Sequence, residues 1–325
     1  MRLVTFTVDT PLGTHRRIGA MAKGGIVDLN FAYAGLLAAS GKTGRAAAIA
    51  NTLLPSDMAE FLAVGEIGMD AARRAIDFAD GGAGLEGQSL LHDQSEVTLL
   101  APVARPNSIR DTISFEGHMK NFERRTGKPT SALWYEMPAY YKGNPRAVIG
   151  PGAPIVWPAY TEKLDYELEF GIYIGKRGRD IPADEAGAFI AGYTIFNDVS
   201  ARDVIPGEVS LNLGPAKGKD MDTGNVMGPC LVTPDELDPT DLGMTARING
   251  EVWSEGRSSD MYWSFPQIIE HISRAETLYP GDFIGSGTVA NGCGDELERW
   301  IRPGDVVELE IEGIGVLRNP IVREG

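Results

Sequence analysis

The stretch Leu164-Asp165-Tyr166-Glu167-Leu168-Glu169-Phe170-Gly171-Ile172-Tyr173-Ile174 alternates polar and apolar residues at its start and is apolar beyond Glu169. A period of two belongs to a β-strand. Glu167 and Glu169 therefore fall on one face, with Cα atoms roughly 7 Å apart, and Leu168 and Phe170 fall on the other. The apolar continuation predicts a strand that enters a buried sheet, leaving the two carboxylates at its rim. Like charges side by side repel, and a shared divalent cation is the least costly way to hold them together.

Two further segments supply company for this pair. Tyr193-Thr194-Ile195-Phe196-Asn197-Asp198-Val199-Ser200-Ala201-Arg202-Asp203 is an apolar strand that ends in a polar cluster. Asp198 can close a three-carboxylate cage with Glu167 and Glu169. Arg110-Asp111-Thr112-Ile113-Ser114-Phe115-Glu116-Gly117-His118-Met119-Lys120-Asn121 adds Asp111 as a fourth candidate ligand and holds a histidine, His118, seven residues after it. Oxygen-only donors suit magnesium, manganese or calcium and not zinc or copper.

Outward from these segments the chain changes character. Residues 1 to about 100 read as a small α/β unit, with strands over 3–8, 18–22 and 26–29 and helices over 31–39, 45–53, 57–63 and 67–78. Gly81-Gly82-Ala83-Gly84 interrupts that pattern as a loop. Past Pro102 and Pro106 the sequence turns to β-branched runs bounded by Gly and Pro, with helices expected chiefly over 183–190 and 264–277. Many strands with few crossover helices predict a mixed α+β, β-rich architecture. The expected division is a small N-terminal domain over 1–100 and a catalytic domain over 101–325.

Composition removes whole classes of function. The 325 residues are 43% hydrophobic and 23% charged, and carry a formal charge of −15. An acidic field repels phosphate backbones and anionic lipid, so neither nucleic acid nor a membrane surface is an expected partner. No stretch approaches the roughly 18 uninterrupted apolar residues of a membrane span. The start, Met1 to Asp9, alternates like a strand and lacks the apolar core of a signal peptide. Two cysteines, Cys230 and Cys293, make neither a disulfide framework nor a zinc-thiolate site, which fits a reducing, cytoplasmic setting. Gly41-Lys42-Thr43 lacks the first glycine of a phosphate-binding loop, because position 36 is leucine.

E-x-E on a strand, followed by N-D-x-S-A-R-D and by Leu213-Gly214-Pro215-Ala216-Lys217-Gly218-Lys219, with an aspartate and a histidine upstream, resembles the fumarylacetoacetate hydrolase family over roughly residues 97–325. The resemblance implies a mixed β-sandwich roll, often preceded by a small N-terminal domain, and a homodimer. It implies metal ligation by Glu167, Glu169, Asp198 and Asp111, and catalysis by His118 with Lys219. Tyr141 (or Tyr140), Arg202, Thr223 and Thr288 are similar to residues that contact substrate. Glu296, with Glu298 as the competing alignment, resembles the carboxylate that orients the histidine.

Departures from the family pattern bear on the reaction. Decarboxylating members often carry a glutamate three residues after the histidine, where this chain has Asn121. A glutamine of the hydrolase is Ile205 here, and Arg124 and Arg125 lie where it places a substrate-binding arginine. The resemblance therefore implies C–C bond hydrolysis of an acylpyruvate-type or 1,3-diketone acid, as in aromatic catabolism, assisted by magnesium or manganese, with calcium as a further candidate. The rival implication is decarboxylation, hydration or isomerisation of a 2-oxo acid such as oxaloacetate or 2-hydroxyhepta-2,4-diene-1,7-dioate.

Overall fold

The computed structural model describes residues 1–41, 43–81 and 89–323. Lys42 and the expected glycine loop beyond Gly81 lie outside the described residues. Among those described, a twelve-stranded sheet dominates, with the strand Leu168–Ile174 near its middle and every residue of that strand buried. Ile190–Asp198, also buried throughout, pairs antiparallel on one side, and Phe283–Gly285 pairs antiparallel on the other. A strand covered on both faces favours apolar residues, which is why these runs are mostly apolar, with Glu169, Thr194, Asn197 and Asp198 as the polar exceptions. Beyond Phe283–Gly285 the sheet continues through Ile109–Thr112, which runs parallel to it, to Tyr140–Gly143.

On the other flank Asn225–Val232 follows, and then the N-terminal strands Arg2–Thr10, Gly13–Ala22 and Gly25–Asp28. Arg2 pairs with Val232 and Leu3 with Leu231. The expected separation at residue 100 therefore does not extend to the sheet, because the N-terminal strands prolong the one that carries the acidic segments. Leu3, Ile18 and Val27 share one core with Tyr173, Phe196 and Phe283. Helices Leu29–Ala39 and Glu66–Asp80 pack their alanine-rich faces, including Ala32, Ala71, Ala72 and Ala75, onto that core.

A second sheet of five strands covers the opposite face. Its strands alternate as half-buried antiparallel strands should. Met244, Ala246 and Ile248 of one strand and Val307, Leu309 and Ile311 of its neighbour point inward. They meet Phe170, Ile172 and Ile195 in the larger core cluster. The β-rich mixed architecture expected from the sequence is the architecture observed.

Two expected helices are shorter than the sequence suggests. The first is a 3₁₀ turn, Ala186–Phe189, and the second is Phe265–Ser273, started by a reciprocal Ser264 and Gln267 cap. Conversely, the helix Glu116–Thr126 was not expected. It ends on Gly127 in the left-handed region (φ 68°), where glycine carries no steric penalty.

Candidate active site

Three strand ends bring the carboxylates together. Asp111 comes from Ile109–Thr112, Glu169 from Leu168–Ile174 and Asp198 from the end of Ile190–Asp198. Each of the three offers an oxygen, and these oxygens lie within 4.8 Å of one another. The close approach of Asp111 depends on its neighbour Gly285, because a Cβ built there would collide with Asp111 Oδ1. Gly287 adopts a φ of 74° and donates its N–H to the same oxygen at 3.2 Å.

Both oxygens of Glu169 are buried and accept no hydrogen bond. An ionised carboxylate in that state costs several kcal/mol. Burial, reinforced by Asp198, pushes Asp111 well above the usual carboxylate range. Burial and the charge of Asp111 do the same to Glu169. Burial also pushes Asp198 up to about 6, although Lys219 works against it. Three crowded oxygen donors, one without any partner, fit a hard divalent cation.

Glu167, the fourth expected ligand, lines the same cavity but lies outside that cluster of three oxygens. It sits just before the strand, opposite Cys293, and its N–H donates to Asn197 Oδ1 at 3.0 Å. Its carboxylate accepts Arg202 Nη2 at 2.6 Å and Lys219 Nζ at 2.7 Å. Burial opposes ionisation, but Lys219 and Arg202 outweigh it and hold Glu167 far below the usual range. Lys219 also donates to Asp198, so its ammonium bridges Glu167 to the trio. Tyr141 donates its hydroxyl to Asp198 at 2.8 Å.

His118 lies in the first turn of the helix Glu116–Thr126 and lines the same cavity as Asp111, Glu167, Glu169, Tyr140, Tyr141, Arg202, Lys219 and Thr288. The cavity measures about 320 Å³. Nδ1 of His118 lies 3.1 Å from Glu296 Oε2, while Asn121 donates to Glu296 Oε1 at 2.7 Å. Glu298, the competing alignment, is exposed at a φ of 54°. Burial favours the neutral form of Glu296, yet its contact with His118 and the Asn121 amide hold it below the usual range.

Thr223, expected to contact substrate, faces a strand. Its hydroxyl accepts the Val156 N–H at 2.9 Å and it is not part of the cavity wall, because the chain turns it toward the strand Ile155–Trp157. Thr288 lines the cavity and donates to the Leu168 carbonyl at 3.3 Å. Arg125 donates to Asp295 Oδ2 at 2.6 Å, and Arg124 is exposed. Sequence reasoning passed over Asp165, which is fully buried and accepts from Arg202 and from two backbone N–H groups. Its place in Leu164-Asp165-Tyr166-Glu167, a polar residue leading into a buried strand, was the available signal.

A model of the fumarylacetoacetate (FAA) hydrolase C-terminal region matches residues 107–322. The chain belongs to the fumarylacetoacetate hydrolase family. Mitochondrial oxaloacetate tautomerase FAHD2A of Bos taurus is 34% identical over 325 residues, which cover 99% of this chain and 92% of that protein. Among solved structures, a 2-hydroxyhepta-2,4-diene-1,7-dioate isomerase from Mycobacterium marinum aligns with a TM-score of 0.67 and 27% identity, covering 100% of this chain and 99% of that one. A fumarylacetoacetate hydrolase from Exiguobacterium antarcticum aligns with a TM-score of 0.70 and 26% identity, covering 99% of this chain and 100% of that one. The names of these family members span tautomerase, isomerase and hydrolase. No helix among the described residues is long and apolar enough to cross a membrane.

Proposed function

We propose that the chain is a divalent-metal-dependent enzyme that moves a proton at the carbon beside the keto group of a short 2-oxo acid, interconverting its keto and enol forms. The observation that carries this reading is the placement of His118, backed by Glu296, in the cavity lined by Asp111 and Glu169 of the carboxylate trio. Magnesium or manganese held by Asp111, Glu169 and Asp198, with Glu167 beside them, would supply positive charge against the negative charge that an enolising keto acid develops.

The remaining chemistry falls to side chains. With Nδ1 protonated and 3.1 Å from Glu296 Oε2, His118 keeps Nε2 free to take the substrate proton. Glu296 opposes the positive charge the imidazole then acquires, and Asn121 stops its carboxylate from rotating away. Lys219, fixed between Glu167 and Asp198, adds a cation to the cavity wall. Tyr141, Arg202 and Thr288 border the substrate space. Returning the proton from Nε2 to oxygen or carbon completes the interconversion. The tautomerase and isomerase names of the relatives support this choice.

The expected C–C hydrolysis stands as a second reading. It is favoured by a cavity of about 320 Å³, which leaves room for a water beside a short acid. In that case His118 takes its proton from the water. A homodimer belongs to the same proposal, and light scattering at micromolar concentration tests it.

One experiment separates the two reactions. Oxaloacetate and acylpyruvates are incubated with the magnesium- or manganese-loaded protein in oxygen-18 water, with enol absorbance and product masses recorded. Faster loss of enol absorbance with an intact carbon chain supports tautomerisation. Oxygen-18 in a newly formed carboxylate moves the assignment to hydrolysis. No acceleration with any of these acids sinks both.

A further inference from the structure

The structure places a second cluster of ligand atoms beside the carboxylate trio, and it differs in chemistry. Nδ1 of His118, Sγ of Cys293 and Oε2 of Glu296 all lie within 4.8 Å of one another. A tetrahedral zinc with ordinary bond lengths separates a nitrogen from an oxygen ligand by about 3.3 Å, and a sulfur from an oxygen ligand by about 3.5 Å. The corresponding distances are 3.1 Å from His118 to Glu296 and 3.5 Å from Cys293 to Glu296. The His118 Nδ1 atom is buried and meets no acceptor in line, although Glu296 is close. Cys293 is buried at the start of the turn that carries Glu296, and His118 opens onto the cavity, so an ion has a path inward.

We propose that His118, Cys293 and Glu296 form a binding site for a zinc-class transition-metal ion, and that its occupancy switches the active site off. Thiolate and imidazole select such ions, whereas the all-oxygen trio selects magnesium or manganese, so the two sites do not compete for one metal. Binding forms three coordinate bonds and breaks no bond between heavy atoms. The thiol proton passes to solvent, and the imidazole proton moves from Nδ1 to Nε2. A protonated Nε2 accepts nothing from substrate, which is the basis of inhibition. The inhibition rests on the proposed role of His118, and the binding does not.

The test uses the full chain saturated with magnesium and titrated with cobalt(II) chloride, whose spectrum reports its ligands. One equivalent should produce a near-ultraviolet thiolate-to-cobalt band with four-coordinate visible bands, and zinc chloride should bleach both. Cys293→Ser should lose the near-ultraviolet band and weaken cobalt binding by about 100-fold, the upper end of what losing even an outer-shell partner costs. Cys230→Ser and Glu169→Gln should retain the band. If circular dichroism shows Cys293→Ser unfolded, His118→Ala carries the test and should lose the four-coordinate bands. No thiolate band in the unmodified chain, or one that survives Cys293→Ser, overturns the site. Zinc should slow magnesium-dependent turnover in step with the bleaching; turnover indifferent to zinc overturns the switch. A chain without turnover that still shows the cobalt spectrum counts against the proposed reaction and supports the site.

Discussion

Asp165 accepts the Arg202 Nε–H at 2.8 Å, and the same carboxylate accepts the backbone N–H groups of Gly294 and Asp295 at 2.8 and 2.9 Å. One buried side chain thereby ties the arginine that holds Glu167 to the turn that presents Glu296. Both of its oxygens are used, Oδ1 by Gly294 and Oδ2 by Arg202 and Asp295. In Asp165→Asn the amide nitrogen must face at least one of these donors, whichever way it turns. Breaking a buried ion pair of this kind costs about 3–5 kcal/mol, and turnover should fall with it. Denaturant unfolding that matches the unmodified chain would rule this out.

The trio also makes stability depend on pH in a defined direction. Asp111, Glu169 and Asp198 are raised in the fold, Asp198 to about 6, against about 4 in an unfolded chain. Their contribution to metal-free stability is complete below about pH 4 and is lost as pH rises through the raised values, because the fold then holds uncompensated negative charge. Glu167, held low, works oppositely and loses its contribution on acidification. A divalent cation removes the penalty of the trio. Magnesium or manganese should therefore raise the melting temperature much more at pH 8 than at pH 5, and an equal gain at both refutes the assignment.

Glu169→Gln should separate stability from function. Replacing a carboxylate whose oxygens have no partner relieves repulsion, so the metal-free variant should melt above the unmodified chain at pH 8. It should also lose the metal-induced shift and most activity. A variant that keeps full metal-dependent activity contradicts the site.

Removing the proposed base should leave the metal site standing. His118→Ala should lose roughly 10²–10⁴-fold in rate while its melting temperature still responds to magnesium. Glu296→Gln should weaken the same step. If His118→Ala abolishes the thermal response to magnesium instead, the histidine belongs to the metal site.

Gly285→Ala tests the backbone that accommodates Asp111. The added methyl would collide with Asp111 Oδ1, so magnesium affinity should drop even though no ligand is changed. Calorimetry that finds the affinity unaltered would show that Asp111 is dispensable.

The acidic strand and the polar end of its neighbour were legible in the primary structure, because a doubly covered strand must be apolar and its carboxylates can only stand at a rim. The family resemblance added His118, Tyr141 and Lys219, which line one cavity with Asp111 and Glu169, while Asp198 accepts the Tyr141 hydroxyl beside it. The helix Glu116–Thr126 escaped notice because it is short, strongly polar and buries little besides Asn121, so it shows no apolar stripe. Strand periodicity placed Glu167 beside Glu169. The regular strand begins only at Leu168, and the Glu167 carboxylate pairs with Arg202 and Lys219.

Local sequence thus determined which segments become buried strands and which residues bear chemistry, since periodicity and side-chain type act over a few residues. Tertiary structure alone decided that Glu296 and not Glu298 meets His118, that Thr223 turns away, and that Asp165 joins two distant segments. It also decided that the N-terminal strands join the central sheet. Each of these depends on partners far apart in the chain, and the hydrogen bonds and charges that select them exist only once the fold has brought those partners within reach.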